Sequence, residues 1–291
     1  MIEPLEPVEN HKPCGTSSIF HGARLSTRIL PAALSERGGD WCETFAVSDD
    51  VIALSIGDVC GHGPEKFDAM TELRRVIREG ALRGNDPARS LAAANRFLRR
   101  FDPEENATAV LAFLNVPARS LVFANAGHPP PLMVGPLGSL FLEFPGADLP
   151  LGVQPEIDLT QRVINLPAAT LLVLYTDGVT ERERKPLQAQ TQLREVARYA
   201  YRASRFSAAS VIGEKMRLGG WNIDDAAILT IWTPFSPVMR ESTTCRTRST
   251  RFGERRAWPR SSADGRSTAL EALADAVRRD TWQRGAFTAG E

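Results

Sequence analysis

Val51-Ile52-Ala53-Leu54-Ser55-Ile56, followed at once by Gly57-Asp58-Val59, is the stretch that decides how this chain folds. A short apolar run, β-branched and closed by a glycine, reads as a largely buried strand. After Pro64 the period changes. Phe67, Met70, Leu73 and Ile77 fall on one helical face. Leu91, Ala94, Leu98 and Phe101 do the same after Asp86-Pro87, which supply an N-cap and a first-turn proline. The spacing therefore predicts two amphipathic helices in tandem, joined by Gly84-Asn85.

Strands resume beyond them. Thr108–Val116 and Leu121–Asn125 read as a hairpin, turning at Asn115–Ser120. Further strands are expected at Ser139–Phe144, Gln161–Leu166, Thr170–Tyr175 and Ala226–Trp232. Helical patterns occupy Thr191–Ala203 and Ser207–Leu218. Strands in blocks and helices in pairs argue for an α+β layered fold rather than strict βαβ alternation. The expected organisation is a loose lead-in over residues 1–22, one compact domain over 23–233, and a tail over 234–291. The tail carries eleven arginines and no lysine. It is expected to be disordered for much of its length, with one short helix over Thr268–Trp282.

Four acidic motifs punctuate the domain: Gly38-Gly39-Asp40-Trp41, Gly57-Asp58-Val59, Thr176-Asp177-Gly178 and Asp224-Asp225. Each places an aspartate near the end of an apolar, strand-like run. A carboxylate there is costly unless water, a donor or a cation satisfies it. Several converging on one place would repel one another, and hard divalent cations relieve that repulsion. Oxygen-only ligation suits magnesium or manganese and does not suit structural zinc. A pair of such ions lowers the pKa of a water held between them and neutralises phosphoryl oxygens, which is the chemistry of phosphate-ester hydrolysis.

Composition narrows the field without choosing a function. Of 291 residues, 43% are hydrophobic and 24% charged, and 35 basic residues balance 35 acidic ones. Net charge thus points to neither nucleic acid nor membrane. No apolar run approaches the ~20 residues needed to span a bilayer, and Met1–Asn10 lacks the pattern of a signal peptide. A cytoplasmic protein is the expectation. Cys14, Cys42, Cys60 and Cys245 form no Cys-x-x-Cys pair and read as free thiols.

Seven motifs in order resemble the PPM-type metal-dependent serine/threonine phosphatases, in the bacterial SpoIIE/RsbU-like branch. They are Gly38-Gly39-Asp40-Trp41, Gly57-Asp58-Val59-Cys60-Gly61-His62-Gly63, Ala107-Thr108-Ala109-Val110 and Asn125-Ala126-Gly127-His128-Pro129-Pro130-Pro131-Leu132. The last three are Leu149-Pro150-Leu151-Gly152-Val153, Leu174-Tyr175-Thr176-Asp177-Gly178-Val179-Thr180-Glu181 and Asp224-Asp225-Ala226-Ala227-Ile228-Leu229-Thr230. The resemblance implies an αββα four-layer sandwich, two central antiparallel sheets flanked by helix pairs, with two Mn2+ or Mg2+ ions in a cleft at one end. It makes Asp58 the residue bridging both ions and the Val59 carbonyl a ligand of one. Asp177 and Asp224 complete the other, and Asp40 binds directly or through water. Asp224 is favoured over Asp225, a choice one residue wide.

The same resemblance implies a phosphoserine or phosphothreonine protein as substrate, in this branch a STAS-type anti-anti-sigma factor. The alternative function is a phosphatase-fold binding module without turnover, a pseudophosphatase of a sigma-factor partner-switching pathway. Retention of all four acidic motifs favours the enzyme. His62, beside Asp58, is a candidate proton donor to the leaving serine oxygen. His128 is expected to fix its loop. Cys60 has no basic partner placed by sequence to activate it. Departures from the family pattern are Cys42 and Glu43, where tyrosine and aspartate are usual, and Asn106, where an aromatic is usual. The chain is expected to lack the branch's fused N-terminal sensor.

Overall fold

The computed structural model describes residues 14–30, 38–61, 64–143, 148–180, 186–204, 206–216 and 225–234. They form two antiparallel sheets. One holds six strands in the order β1 (Cys14–Phe20), β2 (Ala23–Leu30), β11 (Ala226–Trp232), β10 (Leu171–Tyr175), β7 (Leu132–Gly135) and β8 (Gly138–Phe141). The other holds five: β3 (Trp41–Ala46), β4 (Val51–Val59), β5 (Ala107–Asn115), β6 (Ser120–Ala126) and β9 (Arg162–Asn165). Helices α1 (Pro64–Leu82) and α2 (Pro87–Phe101) cover the five-stranded sheet. Helices α3 (Pro186–Ala203) and α4 (Ala208–Lys215) cover the six-stranded one.

Three apolar cores separate these four layers. Between the sheets, Ile52, Leu54 and Ile56 of β4 meet Ala227, Leu229 and Ile231 of β11. On the opposite face of β4, Val51, Ala53 and Val59 pack toward Met70, Leu73 and Ile77 of α1 and Leu91 and Leu98 of α2. Ala226, Ile228 and Trp232 face α3 and α4 through Leu193, Ala197 and Ile212. A central strand buried on both faces has no solvent side. Hence the runs at β4 and β11 are apolar throughout instead of alternating. The four-layer sandwich expected from the sequence is the fold observed.

Local expectations hold where local chemistry is strong. The Asp86 side chain caps α2 by accepting from the Arg89 amide at 2.8 Å, with Pro87 at the first helical position. Strand β11 spans Ala226–Trp232 as expected, and β5 and β6 form the expected hairpin. One expectation is corrected. The lead-in over residues 1–22 is not loose from Cys14 onward, because β1 pairs with β2 along its whole length, from Cys14 opposite Ile29 to Phe20 opposite Ala23. Strands β2, β3 and β7 were also absent from the sequence reading. The tail beyond residue 234, with the helix expected over Thr268–Trp282, lies outside the described residues.

Candidate functional site

The ends of β4, β10 and β11 and the start of β3 meet at one end of the sandwich. Two glycines make the meeting possible. A side chain on Gly39 would put its Cβ 2.6 Å from the Val59 carbonyl oxygen and 3.3 Å from Asp58 Oδ1. One on Gly38 would collide with the Asp225 carboxylate, 1.9 Å from Oδ2. Only a backbone without Cβ atoms fits between Asp58-Val59 and Asp225. The Gly39 carbonyl accepts from the Val59 amide at 3.3 Å, and the Gly39 amide donates to Asp225 Oδ2 at 3.1 Å.

Asp40 follows at the floor of this cleft and is buried, 3% exposed. Its Oδ2 accepts from the Thr176 hydroxyl at 2.7 Å. Burial pushes its proton affinity well above that of an ordinary carboxyl, and the neighbouring charges of Asp58 and Asp225 push it further; the Thr176 hydrogen bond opposes them. Asp58 lies in register with Thr108 across the β4–β5 pair. Asp177 opens a single 3-10 turn, Asp177–Val179, directly after β10, with the Thr180 amide donating to its carbonyl at 2.7 Å. Burial raises the pKa of the Cys60 thiol, and Asp58, Glu105 and Asp177 raise it further, against the lowering effect of Lys66. A thiol held protonated in an acidic field is no nucleophile. Lys66 and Glu105 form an ion pair, Nζ to Oε2, of 2.5 Å.

The structure thus brings Asp40, Asp58, Val59 and Asp177 to the same end of the sandwich. Asp224 and His62 lie outside the described residues. Asp225 is described, 7% exposed and wedged between Gly38 and Gly178. Among the described residues, no three His, Cys, Asp or Glu side chains group closely enough to hold an ion by themselves. Two carboxylates, a backbone carbonyl and waters nevertheless fit magnesium or manganese, which keep several waters. All the converging protein groups are oxygen donors. The buried Asp40, destabilised by its acidic neighbours, is the kind of group a bound cation relieves.

His128 occupies a different place from the acids. It is 5% exposed, its Nδ1 lies 2.8 Å from Thr108 Oγ1, and the Asn125 side chain clasps its backbone, Nδ2 donating to the His128 carbonyl and Oδ1 accepting from the His128 amide. Burial pushes its pKa down to about 3, partly offset by the Tyr175 carbonyl, so the ring is neutral. It packs the Asn125–Leu132 loop as expected. It also helps line a cavity of about 330 Å³ with Phe123, Leu142, Asp148 and Arg162.

Three contributors were missed by the sequence reading. Thr176 stands within a motif without a task of its own, and Asp225 enters that reading only as the alternative to Asp224 for the ligand role, not as a support for Gly39. Asn95 was passed over inside α2. Its amide donates to the Gln154 and Pro155 carbonyls at 3.0 and 3.1 Å, and its Oδ1 accepts from Gly152 at 2.8 Å. It thereby ties the Leu149–Val153 loop to the helix. The available signal was an asparagine on the apolar helix face, four residues after Leu91 and three before Leu98, which the structure shows fully buried and hydrogen-bonded.

A family model described as Stage II sporulation protein E (SpoIIE) matches residues 48–234. The chain belongs to the SpoIIE family. Among curated relatives, phosphoserine phosphatase RsbU of Bacillus subtilis is 26% identical over 158 residues, 54% of this chain and 47% of RsbU. The chain thus spans about half the length of that relative. A crystal structure of the RsbU and RsbW domains of Rv1364c from Mycobacterium tuberculosis superposes with a TM-score of 0.64 at 26% identity. It covers 77% of this chain and 62% of that one. RsbX, solved in complex with magnesium, shares the fold at a TM-score of 0.60 and 15% identity, over 76% of this chain and all of RsbX. No helix among the described residues of this SpoIIE-family chain is long and apolar enough to cross a membrane.

Proposed function

We propose that this chain is a metal-dependent phosphoprotein phosphatase that hydrolyses phosphoserine or phosphothreonine by in-line displacement. The observation that carries the reading is the convergence of Asp40, Asp58 and the Val59 carbonyl around Gly38-Gly39, with Asp177 at the adjoining strand end. Asp58, the Val59 carbonyl, Asp177 and Asp224 would hold two divalent cations, with Asp40 bound directly or through water. Bound Mn2+ or Mg2+ supplies charge neutralisation at the phosphoryl group and an activated water. The chain's own part is to hold these oxygens rigidly where the strand ends meet, and to keep Asp40 oriented by Thr176. His62, in the loop after Asp58, would hand a proton to the leaving serine oxygen.

The proposed substrate is a phosphorylated STAS-type anti-anti-sigma factor, and the proposed compartment is the cytoplasm. The support is family membership together with the phosphoserine phosphatase activity named for RsbU. The test is hydrolysis of p-nitrophenyl phosphate and of a phosphorylated STAS protein with manganese, then with a chelator. Metal-dependent release of phosphate that Asp58→Asn abolishes is the expected result. Turnover indifferent to chelator would overturn the metal assignment. Absence of turnover with every divalent metal would favour the binding-module alternative.

A further inference from the structure

The Thr176 hydroxyl sits at a junction of two hydrogen bonds, accepting one and donating the other. The Ala227 amide can only donate, and it donates to Thr176 Oγ1 at 2.8 Å. That occupies an acceptor site on the hydroxyl oxygen. The hydroxyl proton is donated to Asp40 Oδ2 at 2.7 Å. Both groups are sequestered, Thr176 fully and Asp40 with 3% exposure, so bulk water does not compete for either bond. Reciprocal backbone bonding holds the junction in place, because the Thr176 amide donates to the Ala227 carbonyl at 3.1 Å.

We infer that Thr176 is a positioning residue for the metal centre: it takes its orientation from β11 and imposes one on the Asp40 carboxylate. The inference rests on the function proposed above only in treating Asp40 as part of a cation site. Its physical content is an alignment between sheets. Asp40 leads into β3 of the five-stranded sheet, whereas Thr176 directly follows β10 and Ala227 lies in β11, both strands of the six-stranded sheet. With Oδ2 bound to the hydroxyl, the other carboxylate oxygen is set in one direction. Asp58 also hydrogen-bonds the Asp40 carboxylate, and the Thr176 bond narrows the orientations from which a cation or its water would select. Thr176 also immediately precedes Asp177, so the same segment carries a ligand candidate and orients another.

The test is Mn2+ binding to the full chain by calorimetry, a readout independent of turnover. Thr176→Val keeps the shape and removes the hydroxyl; its Mn2+ affinity is expected to fall by about tenfold or more, as for other groups that orient metal ligands. Thr176→Ser restores the hydroxyl and is expected to bind within about twofold of the parent chain. Thr176→Ala repeats the deletion in a smaller side chain, so a folding defect peculiar to valine does not decide the result. In an Asp40→Asn background, Thr176→Val is expected to have little further effect, since its target is already altered. Either deletion variant, folded and binding Mn2+ like the parent, would overturn the inference, as would an additive loss on Asp40→Asn. A parent chain that binds Mn2+ but cleaves no phosphoester would instead sink the phosphatase reading and leave this one standing.

Discussion

The backbone amide of Gly39 donates to the carboxylate of Asp225 across 3.1 Å, joining residues 186 positions apart in the chain. One carboxylate oxygen is thereby committed to holding the Gly38-Gly39 turn, so with Asp224 proposed as the cation ligand, Asp225 takes the supporting role. Asp225→Asn retains an acceptor for Gly39 and is expected to lower Mn2+ affinity by no more than about tenfold, the lower range for supporting groups. Asp224→Asn is expected to abolish binding. Calorimetric titration of both variants ranks them, and the reverse order would transfer the ligand role to Asp225.

Gly178 abuts the same residue from the other side. A Cβ there would lie 1.8 Å from the Asp225 carbonyl oxygen, and backbone cannot move aside as a flexible side chain can. Gly178→Ala is expected to destabilise the chain by about 1–3 kcal/mol in urea denaturation, the usual cost of overpacking. Gly135→Ala is the control, since nothing lies within 4 Å of its added carbon. It is expected to change stability by less than about 0.5 kcal/mol.

Glu43 stands where the family usually has aspartate. It is 2% exposed and ion-paired with Arg78, with Arg74 at 4.0 Å, so it pins α1 to β3 just beyond Asp40. Burial raises its pKa against the lowering effect of both arginines. Glu43→Leu strands those arginines and is expected to cost about 3 kcal/mol, the low end for a broken buried pair because both guanidinium groups retain solvent contact. Adding Arg78→Met should recover part of the loss. Equal urea midpoints for Glu43→Leu and the parent chain would show that the ion pairs contribute nothing.

His128 predicts a pH dependence. In the unfolded chain its imidazole takes a proton near the ordinary histidine value of 6.5, whereas in the folded chain it does so only near 3. Between those values the unfolded state holds the extra proton, so stability falls as pH falls; above the upper value this group contributes no slope. Urea denaturation in chelator from pH 8 to 5 should show the decline, and His128→Gln should flatten it. An unchanged slope in that variant would mean the imidazole is not buried neutral.

Much of this architecture follows from local chemistry. Strand β4 and helices α1 and α2 could be read from runs and periods that are set by neighbours in the chain, and the Asp86 cap by a residue three positions away. The acidic motifs were legible for a related reason, since each couples an apolar run to a carboxylate in a few residues. Strand β1 escaped because Thr16, Ser17 and Ser18 carry no apolar alternation; it is a strand only because β2 offers it a ladder, and β2 in turn lies beside β11 from the far end of the domain.

The order of tasks among the acids and their supports was likewise a tertiary matter. Sequence alone determined that oxygen-donor residues of a metal-centre type are present at strand ends, and through its motifs determined the family and the sandwich. It did not show that Thr176 orients Asp40, that Asp225 braces Gly39, or that Glu43 anchors α1. Those relations join residues 136, 186 and 35 positions apart. A hydrogen bond depends on angstrom-scale distance and direction, and in this chain both are set where separate layers, sheet on sheet and helix on sheet, are packed against one another.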